Sequence, residues 1–144
     1  MFKRILVPID GSATSNKALD LALQIAREND ASVRLVHSFD ELAYLATFEV
    51  LPPLIEEARR YADEILGDGL KLATNHRVRA DARVLEVPGR RLGDLVAEAA
   101  KDFRADLIVV GTHGRRGIGR IALGSGAEQV IRAAPVPVLA VRGS

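Results

Sequence analysis

Two stretches carry residues whose types and spacing could do chemistry: the glycine-rich run from Gly111 to Gly126, and Asp10, the carboxylate that closes the first apolar run. The run D-L-I-V-V-G-T-H-G-R-R-G-I-G-R-I-A-L-G-S-G holds glycines at 111, 114, 117, 119, 124 and 126. Glycine lets a ligand approach the backbone closely, and successive amides in such a loop form an anion-binding concavity. Leu107 to Val110 is a continuous apolar run, the pattern of a strand covered on both faces. A helical pattern (Ala127, Val130, Ile131, Ala134) follows Gly124-Ser125, so open amides and the positive end of a helix dipole would face the same place. The chemistry that fits is phosphate binding; a tight connection with no ligand is the plain alternative, and glycine content alone does not separate them. Two other phosphate loops are excluded. No glycine precedes a Lys as G-x-x-x-x-G-K-[ST] requires, and Gly114, Gly117 and Gly119 do not fit G-x-G-x-x-G.

The remaining candidates are fewer. Asp10 can accept from ribose hydroxyls or help hold a metal beside phosphates; otherwise it caps the helix that follows Gly11. His113 has no Cys, Ser or acid partner at a readable spacing and is expected to be structural rather than a general base. His37 at a strand end is expected to be a packed core residue, and His76, between Asn75 and Arg77, to be solvated. Arg115, Arg116 and Arg120 either neutralise phosphates or form an exposed loop face; they are not assigned as ligands.

Gly111, two residues, Gly114, nine residues and Gly124-Ser125 read G-x2-G-x9-G-[ST], which resembles the ATP-binding motif of the universal stress protein family. The resemblance extends along the chain through K-R-I-L-V-P-I-D-G-S at Lys3, V-R-L-V-H at His37, A-D-L-I-V-V-G-T-H-G at Ala105 and P-V-P-V-L-A-V-R ending at Arg142. It implies that Pro8 and Asp10 line a nucleoside pocket, that Ser38 offers its backbone to adenine, and that Val110 and Gly111 border the ribose. It further implies that Gly114 forms the phosphate turn and that Gly124, Ser125 and Gly126 bind phosphates through amides and the Ser hydroxyl. The implied cofactor is ATP, with Mg2+ or Mn2+ held mainly by the phosphates. The implied function is a nucleotide-dependent regulatory or stress-response factor acting on an unidentified protein partner. A weak ATPase or phosphotransferase in the same pocket is the alternative. It lacks a Lys, Gln or Asp in an obvious nucleophile-positioning role near the motif, so no catalytic residue is assigned. A nucleotide-free dimeric scaffold is a third reading, against which the intact motif argues.

Composition bounds these readings. A chain of 144 residues with 48% hydrophobic and 27% charged residues is expected to be one domain, 1–144, without repeats or linkers. A net charge of +1 and six aromatic side chains give no basic, aromatic face for nucleic acid. The absence of Cys excludes disulfides and thiolate metal sites. Ile5 to Ile9 after Lys3-Arg4 is shorter than the roughly 7 to 15 residues of a signal-peptide core, and no run approaches the roughly 18 to 20 residues of a membrane span. The expected location is cytoplasmic.

The elements that must position the candidates follow from periodicity. Strands are expected at Ile5 to Ile9, Val33 to Val36, Ala82 to Val87, Leu107 to Val110 and Val136 to Val141. The first helix, capped by Ser12 or Ser15, carries Ala18, Leu21, Ala22, Ile25 and Ala26 on one stripe and ends near Asn29-Asp30. Asp40 to Pro53 reads as a loop or short flap, with Pro52-Pro53 breaking any helix. From Leu54 a helix runs through Ala58, Tyr61, Ala62 and Ile65, and Gly67-Asp68-Gly69 is expected to weaken or kink it. Another helix spans Arg91 to Phe103, with Leu92, Leu95, Val96 and Ala99 inward. Alternating strands and helices with short links mean a three-layer α/β domain of flavodoxin- or Rossmann-like type, a five-stranded parallel sheet with helices on both faces. The resemblance implies strand order 3-2-1-4-5, which sets the first and fourth strands side by side and brings Asp10 to Gly111. Pro135 and Pro137 place this segment at a sheet edge or at a strand's first residue, and its apolar content, Val136, Val138, Leu139, Ala140 and Val141, leads to an expected homodimer through the last strand.

Overall fold

Ile5-Leu6-Val7 is apolar at every position because both faces of its strand are covered, and its three side chains are wholly buried. It lies at the centre of a computed structural model that describes residues 1–38, 52–86, 90–113 and 123–143. In chain order the elements are β1 (Arg4–Pro8), α1 (Ala13–Asn29), β2 (Ser32–Ser38), α2 (Pro52–Asn75), β3 (Arg79–Leu85), α3 (Leu92–Phe103), β4 (Leu107–Gly111), α4 (Ser125–Ala133) and β5 (Val138–Val141). All strand pairs are parallel, in the order β3-β2-β1-β4-β5. The expected architecture and strand order are those observed.

Alternation along each strand divides the core into two layers. Ile5, Val7, Val33, Leu35, Leu107 and Val109 face α1 and α2, where Ala18, Leu19, Ala22, Leu23 and Leu66 meet them. Leu6, Val36, Ile108 and Val110 face α3 and α4, against Val96, Ala100, Phe103, Ala127 and Val130. The buried stripe of α1 is thus centred on Leu19 and Leu23, with the expected Leu21 and Ile25 at its partly buried flank. On α3, Leu95, Val96, Ala100 and Phe103 are buried, and the expected Leu92 and Ala99 sit at the margin. Ser12 caps α1, its Oγ accepting from the Ser15 amide at 3.1 Å.

Three boundaries differ from expectation, each for a physical reason. β3 begins at Arg79 rather than Ala82, because it pairs with all seven residues of β2. Its polar residues Arg79, Asp81 and Arg83 alternate with Ala80, Ala82 and Val84, which pack toward α2. Pro52 and Pro53 open α2 instead of breaking it, since a first-turn residue has no intrahelical use for its N–H. The same helix continues through Gly67 and Gly69 to Asn75. An added Cβ at Gly69 would come 2.6 Å from Leu35 Cδ1 and 3.2 Å from Ile9 Cδ1, so that glycine serves close packing of helix on sheet. β5 starts at Val138, past both prolines, although the Pro137 carbonyl still accepts from Ile108 N at 3.0 Å. The remainder of the expected Asp40–Pro53 loop, and Val87, lie outside the described residues.

Candidate functional site

β1 lies between β2 and β4, so the carboxyl ends of these three strands deliver their last residues to one edge of the sheet. Pro8 closes β1, opposite Val36. Asp10 follows at the start of a turn in which Gly11 adopts φ +83°, a conformation that favours glycine. Among the bonds that hold Asp10, its amide donates to Ser15 Oγ at 3.0 Å, its Oδ1 accepts from Ser12 N at 2.9 Å, and its carbonyl accepts from the Tyr61 hydroxyl at 3.4 Å. The carboxylate therefore does help organise the helix start, and it remains only half-buried at the strand end.

β2 ends in His37 and Ser38. His37 is 8% exposed and its Nδ1 donates to the Ile9 carbonyl at 2.8 Å, a packed histidine as expected. Ser38, opposite Leu85, is half-buried. His76 departs from expectation: its ring is mostly covered, and Nε2 lies 3.2 Å from Asp20 Oδ1.

At the β4 end the Val110 side chain is buried in the α3–α4 layer, so only its backbone can border a ligand. Gly111 packs on the first turn of α1, where an added Cβ would meet Thr14 Cγ2 at 2.9 Å. Thr112 N donates to the Val141 carbonyl at 2.9 Å, and Thr112 O accepts from Gly124 N at 2.6 Å. That second bond fastens the start of α4 to the end of β4. An added Cβ at Gly124 would lie 2.8 Å from Thr112 O, so the closeness depends on glycine. Gly124 is the N-cap residue of α4 in extended geometry, and being a glycine it brings no side chain to cap the helix. Ser125 and Gly126 are its first residues, and their amides are among those that every helix begins without an intrahelical partner. Glu128, the one acid in that first turn, is paired with Arg132 at 2.9 Å.

The described residues thus bring Pro8, Asp10, Ser38, Val110, Gly111, Gly124, Ser125 and Gly126 to the same edge. Gly114, Arg115, Arg116 and Arg120 lie outside the described residues. Among the described residues no group of three His, Asp or Glu could hold a metal ion. Three residues at this edge were not singled out from sequence. Thr14 supports Gly111, Tyr61 reaches Asp10 from α2, and Thr112 is 6% exposed with an Oγ1 that has no partner among the described residues. The His113 Nδ1 is in the same position. A Tyr on an otherwise apolar stripe carries a usable signal, since its hydroxyl must find a partner when covered; the Thr112 hydroxyl carries none.

The model of the universal stress protein family matches residues 1–142. The chain belongs to that family. A universal stress protein of Methanocaldococcus jannaschii is 36% identical over 148 aligned positions, spanning 99% of this chain and 83% of the relative. A crystal structure from the universal stress protein family of Burkholderia pseudomallei superposes with a TM-score of 0.76 at 31% identity, covering 96% of this chain and 95% of that one. A universal stress protein solved in complex with cAMP superposes with a TM-score of 0.73 at 26% identity, covering 99% of both chains.

Proposed function

We propose that this universal stress protein binds ATP across the β1, β2 and β4 ends and acts as a nucleotide-dependent regulatory factor for a protein partner. The observation that carries the reading is the bond from Gly124 N to Thr112 O, which holds the α4 N-terminus, with a glycine at its cap position, at the same sheet edge as Asp10. A helix start offers amides and a positive dipole end to a phosphate, and a carboxylate offers acceptors to ribose hydroxyls. In this reading Pro8, Asp10, Val110 and Gly111 border the nucleoside, the Ser38 backbone meets adenine, and Gly114, Gly124, Ser125 and Gly126 serve the phosphates. A Mg2+ or Mn2+ ion would be held mainly by the phosphates, because the described residues supply no ligand cluster of their own. The family relative solved with cAMP supports an adenine nucleotide as the ligand class.

The decisive variant is Ser125→Asp. A negative charge at the first turn stabilises the free helix but repels a phosphate at the same amides. Calorimetry should show ATP affinity falling at least tenfold while the melting temperature without ligand holds or rises; undiminished ATP affinity would refute the phosphate assignment. A single-turnover assay distinguishes binding alone from slow hydrolysis. The proposal extends to a homodimer through β5. It also takes the protein to act in the cytoplasm, the location expected from the sequence.

A further inference from the structure

The register between β1 and β2 ends at Pro8 opposite Val36, yet the two chains stay joined beyond it. Ile9 N donates to the Val36 carbonyl at 2.8 Å, and His37 Nδ1 lies 2.8 Å from the Ile9 carbonyl. A carbonyl only accepts, so Nδ1 carries the proton and the imidazole is a fixed cross-link between the strand ends. His37 immediately precedes Ser38, and Ile9 immediately precedes Asp10. Tyr61 closes over this link from α2. Its ring meets the imidazole edge to face, 6.2 Å between centroids at 69°, and its hydroxyl donates to the Asp10 carbonyl at 3.4 Å.

The bonds described on Asp10 run in two directions. Ser12 and Ser15 tie it to α1, whereas Tyr61, together with His37 acting through Ile9, ties it to the β2 side. We infer that His37 and Tyr61 are a positioning pair that sets the distance between the sugar-reading carboxylate of Asp10 and the base-reading backbone of Ser38. The inference rests on the nucleotide reading above. Without the pair, Asp10 stays fastened to α1 but can shift relative to Ser38, and a nucleoside can no longer satisfy both ends together. The phosphate end, built from β4 and α4, is untouched. Base and phosphate contacts then persist while discrimination at the sugar is lost.

The test is calorimetry of the unaltered protein, Tyr61→Phe, His37→Leu and His37→Asn with ATP, 2′,3′-dideoxy-ATP and inorganic tripolyphosphate. The unaltered protein should prefer ATP to the dideoxy nucleotide by about tenfold or more, the scale of a hydrogen bond to a charged group. Tyr61→Phe and His37→Leu should bring that ratio toward one while tripolyphosphate affinity stays within about twofold. His37→Asn, whose amide can present an N–H near the Nδ1 position, should recover most of the preference. A purely structural role would lower all three affinities together and leave the ratio intact, which overturns the inference; should His37→Leu fail to fold, Tyr61→Phe decides. An unaltered protein that binds ATP without sugar preference overturns this inference alone, and one that binds no ATP overturns the nucleotide reading and this inference with it.

Discussion

Thr112 and Asp81 show how differently a polar side chain behaves with and without a partner. A buried hydroxyl lacking a hydrogen bond costs about 1–3 kcal/mol, and Thr112 Oγ1 has no partner among the described residues. Thr112→Val keeps the shape and removes the hydroxyl, so the ligand-free protein should melt roughly 3–10 °C higher. A lower melting temperature in scanning calorimetry would mean that the hydroxyl is bonded in solution. Asp81 is the converse case. Both its oxygens accept from Arg34 at 2.8 Å, and that pairing holds the carboxyl below the usual range and raises the Arg34 guanidinium, which also lies 4.5 Å over the Phe103 ring. A depressed carboxyl contributes stability above its unfolded value of about 4 and loses it as the pH falls through the lower native value. Asp81 is 44% exposed, which reduces the contribution to about 1 kcal/mol or less. Denaturant melts should therefore find Asp81→Asn slightly less stable at pH 7, with the gap closing below about pH 4. Asp10 was readable in sequence as a carboxylate at a strand end. The Thr112 hydroxyl was not, because lacking a partner is a property of the packed edge and not of the residue.

At the scale of elements, the two glycines of α2 look alike in sequence and differ in the fold. Nothing lies within 4 Å of an added Cβ at Gly67, whereas one at Gly69 would press on Leu35 and Ile9. Gly67→Ala should stabilise the protein by about 0.5–1 kcal/mol, the ordinary gain of helix propensity. Gly69→Ala should destabilise it by about 1–3 kcal/mol through overpacking. Equal effects in denaturant unfolding would mean that α2 does not sit on β2 as described. Propensity reasoning expects a break at Gly67-Asp68-Gly69, and tertiary packing overrides it because a helix this long gains more by lying on β2 and β3 than two glycines cost. The start of β3 was hidden for a related reason. Arg79, Asp81 and Arg83 read as polar sequence, yet they belong to a strand with one covered face. The strands buried on both faces, β1 and β4, were legible nearly to the residue because no polar position interrupts them.

For the whole molecule, the described sheet ends in two unlike edges, β3 and β5. β3 alternates Arg79, Asp81 and Arg83 with small or branched apolar residues, and charges on an edge strand discourage pairing with another chain. β5 is V-L-A-V, with Leu139 37% exposed, and Ile131 on the preceding helix is 42% exposed. The homodimer proposed above would then be a closed pair of copies and not an open filament, since of the two described edges β5 is the one that invites a partner and a two-fold axis uses it up. Leu139 and Val141, the larger side chains on one face of β5, are not equivalent. Val141 is 8% exposed and packs in the α1 layer, so a charge there would unfold the protein and test nothing about association. Leu139, opposite Val109 in register, is the large one of the pair that a second copy can reach. Leu139→Asp should leave the monomer folded, with its far-ultraviolet dichroism unchanged. It should weaken self-association about a hundredfold or more, because a two-fold contact loses the burial of two leucines, about 1.5–3 kcal/mol each. Sedimentation at micromolar concentration should then show a dimer for the unaltered chain and a monomer for the variant, and a monomer in both cases would exclude the β5 pairing.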